Sequence, residues 1–151
     1  MSPDATGWTP GEVPPADEVS APYWEATAEH RLTVQSCRTC GRVQHPPRAL
    51  CTGCGSMDGL AQVDAGGGAT VDTFTVVHRA PRPDLATPYT VARVRLDEGP
   101  VLLARLEATP APSGTGPDHD WSIGDRVVVA FHDLPDGRAL PYFLPAPTEE
   151  S

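Results

Sequence analysis

The residues whose type and spacing most clearly specify chemistry are four cysteines. Cys37-x-x-Cys40 and Cys51-x-x-Cys54 are two matching knuckles, each followed by a glycine, Gly41 and Gly55, and separated by a ten-residue hairpin. A tight turn with glycine after its second cysteine lets backbone N–H groups face both sulfurs, so two such turns brought together offer four thiolates tetrahedrally to Zn²⁺. With all four positions filled, the metal would hold structure and leave no vacant place to activate water. Such a site contributes folding free energy on the order of 10 kcal/mol, which a ribbon with almost no apolar core needs. Iron suits thiolates as well, and a pair of disulfides is the competing use of the four sulfurs. The stretch Met1 to Gly11 holds no apolar run of signal-peptide length, so the expected compartment is a reducing cytoplasm, where thiolates stay available to metal. His45, beside Pro46-Pro47 at the hairpin tip, is expected to be exposed and not to act as a further ligand.

A search for an active site elsewhere returns little. There is no Gly-x-Ser-x-Gly elbow, no His-Glu-x-x-His helix and no phosphate loop ending in Gly-Lys. With the thiols committed to metal, no nucleophile stands out. The remaining polar cluster is His78 with Arg79 and Arg82, in a region from residue 74 to 96 that carries four arginines against the single acid Asp84. Guanidinium groups bind anionic oxygens in a bidentate fork, so this cluster, with Arg48 of the cysteine module, is a candidate anion site. Its competing use is a solvated outer face paired with the chain's many carboxylates. Net charge is −9, yet residues 31 to 57 hold Arg31, Arg38, Arg42 and Arg48 and no acid, so the rest sums to −13. The cysteine module is thus a basic piece on an acidic body.

These residues need elements to position them. Residues 1–19 are rich in proline and acids and read as an arm that is disordered or orders against a partner, with Trp8 the odd residue. Ser20 can cap a short helix with Pro22 in its first turn, running on through Tyr23, Trp24 and Ala26 to His30. At about ten residues it cannot persist alone and must dock on its own barrel or on another chain. Residues 20–64 form this helix plus the cysteine ribbon, with short strands at Leu32 to Ser36 and Leu60 to Val63. Gly66-Gly67-Gly68 reads as a flexible connector or a tight passage out of the ribbon. Residues 65–145 then carry five strands: Thr70 to Arg79, Tyr89 to Leu96, Val101 to Leu106, Arg126 to Phe131 and Ala139 to Leu144. Five short antiparallel strands of this kind fit a closed OB-fold barrel. The register around Gly99 decides whether Arg93, Arg95 and Arg105 share a face, and a one-residue slip reverses the answer. Residues 146–151 are a tail, and no segment has the ~20 apolar residues of a membrane span.

Taken together, Tyr23-Trp24-Glu25, Leu32-x-x-Gln35-x-Cys37-x-x-Cys40-Gly41, Pro46-Pro47-Arg48, Cys51-x-x-Cys54-Gly55 and the run Thr73 to Arg79 resemble the zinc-ribbon/OB-fold acyl-CoA-associated protein family. Leu96-Asp97-Glu98-Gly99-Pro100 and Leu140-Pro141-x-Phe143 match its barrel, and the likeness runs from about Pro22 to Pro145. The resemblance implies a mostly β protein: a short N-terminal helix, a rubredoxin-like zinc ribbon and a five-stranded OB-fold barrel. It also implies a non-catalytic accessory subunit in a hetero-oligomer with a thiolase-like chain of the aldolase, thiolase or ketosynthase type, including partners that shorten steroid side chains carried as CoA thioesters. On this reading the catalytic residues belong to the other chain. Acyl-CoA lies at or near the interface, His78, Arg79, Arg82 and Arg48 face the phosphates of coenzyme A, and Tyr23 and Trp24 dock the partner. Some members of the family carry a fused hydratase-like domain, and no such domain is read in these residues.

The competing assignment is a single-stranded nucleic-acid-binding ribbon/OB module, a use both folds support. It needs a basic groove with stacking aromatics. The body is instead acidic, and Phe74, Tyr89, Phe131, Tyr142 and Phe143 include several core positions, so nucleic acid is not expected. A self-sufficient hydrolase or transferase using His78 lacks a nucleophile.

Overall fold

In the computed structural model, residues 13–108 and 120–147 are described, and they build one helix and eight strands. The helix α1 spans Ala21–Ala28 with proline in its first turn. Ser20 precedes it but does not cap it. Its hydroxyl accepts from the Asp17 N–H at 3.0 Å while its own N–H donates to Asp17 Oδ1 at 2.7 Å, so the Asp17–Ser20 turn ahead of the helix takes the role assigned to a direct cap.

The ribbon sheet orders β2 (Val43–Gln44), β1 (Thr33–Cys37) and β3 (Leu60–Asp64), all antiparallel. The strands β4 (Gly68–Val77), β5 (Tyr89–Leu96), β6 (Val101–Leu106), β7 (Arg126–Asp133) and β8 (Ala139–Pro145) close into a barrel in the order β4-β5-β6-β8-β7, with β7 returning to β4. Every pairing is antiparallel except β6 with β8, which meet in parallel at Leu106 and Phe143. This is the five-stranded barrel expected.

Period-two alternation fixes the faces. In β5, Thr90, Ala92, Val94 and Leu96 point inward while Arg93 and Arg95 are exposed. Directly opposed residues of an antiparallel pair share a face. Val91 opposes Arg105, Arg93 opposes Leu103, and Arg95 opposes Val101, so Arg93, Arg95 and Arg105 all lie on the outer face. A bulge at Asp72 absorbs one residue, which lets Val71 pair with Val94 and Phe74 with Ala92 on the same inward side.

The core runs through both parts without a break. Phe143, Leu96, Val71, Val94 and Val127 fill the barrel, and Tyr23, Trp24, Leu32 and Val34 join them from the helix and ribbon. Tyr23 and Trp24 are each only 8% exposed. Of the two docking places open to the helix, its own barrel or another chain, it lies on its own barrel and β1, and most of the aromatic surface is covered there. The Arg138 guanidinium covers the Trp24 ring at 4.5 Å and donates to the Pro14 carbonyl at 2.8 Å, and Val13 packs against the core. The arm from residue 13 onward is therefore held by its own barrel, whereas Trp8 and the rest of residues 1–12 lie outside the described residues, as do 109–119 and 148–151.

Gly66 to Gly68 is a tight passage and not a flexible connector. The Gly66 N–H donates to Glu98 Oε2 at 3.1 Å, and the Gly67 and Gly68 carbonyls accept from the N–H groups of Val129 and Asp97. A side chain on Gly67, which has φ +90°, would meet Val129 Cγ1 at 2.7 Å. Glycine is required there because φ is positive and the Val129 side chain fills the place a Cβ would take.

Candidate metal centre and adjoining cleft

The two knuckles bring their sulfurs together. Each closes by a backbone bond from the glycine N–H to the first cysteine's carbonyl, Gly41 to Cys37 at 2.8 Å and Gly55 to Cys51 at 2.9 Å. Cys37 Sγ lies 3.7 Å from Cys54 Sγ, Cys40 Sγ lies 3.5 Å from Cys51 Sγ, and all four sulfurs fall within 4.8 Å of one another. A zinc tetrathiolate with Zn–S near 2.3 Å has sulfur–sulfur edges of about 3.8 Å. The donor set fits zinc in chemistry and in size, and no sulfur pair stands at disulfide bonding distance.

The local backbone favours thiolate. The N–H of Cys54, then that of Gly53, holds the Cys51 thiol down at about 6, and the N–H of Cys40, then that of Thr39, lowers Cys37. The Arg42 N–H also acts to lower Cys40, but the Cys51 thiol and burial outweigh it and push Cys40 up to about 11.

Two buried glutamines lock the hairpin between the knuckles. Gln35 accepts from the Arg48 N–H at 2.9 Å and donates to the Arg48 carbonyl at 2.9 Å. Gln44 donates to Gln35 Oε1 and to the Leu50 carbonyl, and accepts from both the N–H and the hydroxyl of Thr52. Arg48 is thus pinned by its backbone while its side chain stays free to act. Arg42 donates from Nε to the Thr52 hydroxyl at 3.0 Å. Gln35 was singled out in the sequence only as part of a motif, and Gln44 not at all, because a buried polar network leaves no periodic signal.

His45 departs from expectation. Its ring packs against Tyr23, centroid to centroid 5.3 Å, and burial depresses its pKa to about 4, so it is neutral near pH 7. Its Nδ1 is buried without a partner among the described residues. His45, Arg42 and Arg48 line one side of a cleft of about 440 Å³ whose other wall is the barrel turn Gly99, Pro100 and Val101.

The structure separates the predicted anion residues. His78 and Arg79 are exposed just beyond the end of β4, and Arg82 pairs with Asp84 in the following loop. Val77 opposes Tyr89 at the start of β5, whereas the cleft lies beyond its end at Leu96. Eight residues of strand put about 23 Å between the two places. Arg48 therefore belongs with Arg42 and not with His78, Arg79 and Arg82.

One buried acid–base pair had no signal in the sequence, since its members are 25 residues apart, one just past the end of β6 and the other on β7. Glu107 Oε2 meets His132 Nε2 at 2.7 Å, and the His132 ring stacks on Tyr142 at 4.0 Å. Burial, then the neighbouring Glu107 carboxylate, raises the Tyr142 phenol, which is the reverse of activating it as a nucleophile.

The chain matches two family models, the ChsH2 rubredoxin-like zinc ribbon domain over residues 24–58 and the ChsH2 C-terminal OB-fold domain over residues 62–132. A "Probable enoyl-CoA hydratase alpha subunit" of Thermomonospora curvata is 37% identical over 91% of this chain, which spans 41% of that protein. A "DUF35 domain-containing scaffold protein" of Pyrococcus furiosus is 36% identical over 56% of this chain and 62% of its own length. Among solved structures, one titled "Ltp2-ChsH2(DUF35) aldolase" superposes with TM-score 0.75 at 34% identity, covering 88% of this chain and 98% of that one. The four-cysteine site, fitted in size and donor type and matched over its whole span by a zinc-ribbon model, is a structural zinc site. With ribbon, barrel and their order all shared, the chain belongs to the ChsH2-type DUF35 family of rubredoxin-like zinc ribbons joined to OB-fold barrels.

Proposed function

We propose that this chain is a non-catalytic accessory subunit of a thiolase-like enzyme acting on acyl-CoA thioesters, with steroid side-chain cleavage as the narrowest form of the reading. The observation that carries it is the likeness along 98% of the DUF35 chain in a structure titled as an aldolase. A relative named as a scaffold protein points the same way. The chain's own chemistry agrees. Its four thiols are drawn together for metal, and its buried Glu107–His132–Tyr142 group holds the phenol in its neutral form. Among the described residues, no helix is long and apolar enough to cross a membrane, and a reducing cytoplasm suits the four thiolates.

On this reading the barrel and ribbon shape part of the acyl-CoA passage at an interface with the catalytic chain. The exposed His78 and Arg79, with Arg82 nearby, are offered to coenzyme A phosphates at the β4 end of the barrel. A nucleic-acid role has less support: Tyr142 and Phe143 are buried and Phe131 stacks on His30, which leaves few faces for bases. The test is co-expression with a thiolase-like chain from the same source. The expected result is a stable hetero-oligomer whose acyl-CoA cleavage collapses when this chain is left out. A monomer that neither assembles with such a chain nor changes its turnover contradicts the proposal.

A further inference from the structure

The cleft between ribbon and barrel has a composition that the zinc site does not require. None of its ten lining residues is acidic, and two are arginines. A third arginine stands at its rim, Arg95, whose Nη1 lies 3.3 Å from the Gly99 carbonyl. The nearest carboxylates on the adjoining turn are engaged elsewhere. Asp97 is held by both terminal nitrogens of Arg126, and Glu98 Oε2 accepts from the Gly66 N–H. On a chain of net charge −9, a concave surface lined by two guanidinium groups and no carboxylate, with a third guanidinium close by, is a local focus of positive potential.

The arginines are also positioned. Arg42 is tethered at Nε by Thr52, leaving its terminal nitrogens available, and the Thr52 hydroxyl is itself held by Gln44. Arg48 is clamped at both its N–H and its carbonyl by Gln35, so its side chain can be used without any cost to the fold. His45 adds an imidazole to the same wall. Pro46, Pro100 and Val101 supply an apolar wall. At about 440 Å³ the cleft is larger than an inorganic ion and matches a small organic ligand.

We infer that this cleft binds the phosphate monoester of a nucleotide-sized organic ligand, with Arg42 and Arg48 on the phosphate oxygens and the proline–valine wall against the carrier. Fork-shaped donors suit a dianionic phosphate. The site is distinct from the cluster of His78, Arg79 and Arg82, and the inference does not depend on the partner proposed above.

The test uses the zinc-loaded full chain without any partner, titrated by calorimetry and by amide chemical shifts with inorganic phosphate, AMP and coenzyme A in separate arms. Saturable binding of AMP or coenzyme A is expected, centred on residues 42–52 and 99–101 and weakening with salt. Inorganic phosphate is expected to bind at least tenfold more weakly, and equal binding of all three would reduce the site to a simple anion hole and overturn the organic-ligand claim. Arg48→Ala should weaken binding about tenfold and leave the zinc content unchanged. Arg42→Lys should weaken it while keeping a charge beside Thr52, and Arg79→Ala should leave the shift changes at residues 42–52 and 99–101 as they are. Absence of saturable binding, or loss on Arg79→Ala with Arg48→Ala unaffected, overturns the inference. Failure of the co-expression test would leave these results standing, so the two claims fail separately.

Discussion

Ribbon and barrel are held by different physics. The barrel is stabilised by side chains with no solvent exposure, Phe143, Val94 and Val127 among them, inside a ladder that leaves no open edge. The ribbon has one three-stranded sheet, β2-β1-β3, at its base, and its outer hairpin is held by four sulfurs, two glutamines and backbone turns. Leu50 and Met57, which flank the second knuckle, are exposed. The comparison teaches where each part is vulnerable: the barrel to loss of volume, the ribbon to loss of a ligand.

The largest effect should come from the metal. Cys51→Ser is expected to reduce bound zinc from one equivalent per chain to near none and to remove a stabilisation on the order of 10 kcal/mol from the ribbon. Metal analysis and circular dichroism would show this as lost zinc with barrel strand signal retained. The reciprocal change is Phe143→Ala, which empties a fully buried barrel position and should cost about 4 kcal/mol in urea unfolding. Zinc content should be unaffected in that variant.

A smaller effect is a dependence on pH. His45 has its folded pKa depressed to about 4 by burial, so the unfolded chain binds the proton more readily. Its contribution is fully present above the ordinary histidine value near 6.5 and is lost as pH falls toward 4, by an amount on the order of 3 kcal/mol. Comparing denaturation curves of the wild type and His45→Gln across that window would show a slope in the first that is missing in the second. Smallest, Gly67→Ala places a methyl against Val129 at a positive φ and is expected to lower stability by about 1–3 kcal/mol. Its effect should appear in barrel unfolding, since Gly67 bonds to β7.

The strands were legible because half-buried sheets impose alternation, and Tyr89 to Leu96 and Val101 to Leu106 are bounded in the structure as they read in the sequence. The knuckles were legible because metal geometry demands fixed spacing. Other features depend on distant partners and leave no local trace. Tyr23 and Trp24 have the same residue types whether they meet a partner or their own barrel, and only the tertiary path of α1 decides. Arg48 reads as one of several arginines, and its separation from His78 and Arg79 follows from the direction of β5. The pairing of Glu107 with His132, and the clamp of Gln35 on Arg48, join residues that no periodicity links.

The most direct test of the metal-held ribbon and core-held barrel is residue-resolved amide hydrogen exchange of the full chain before and after zinc chelation. The predicted result is a loss of protection confined to residues 37–59, with the amides of β5 to β8 exchanging as slowly as before. Loss of protection across ribbon and barrel together, or none in the ribbon, would contradict it.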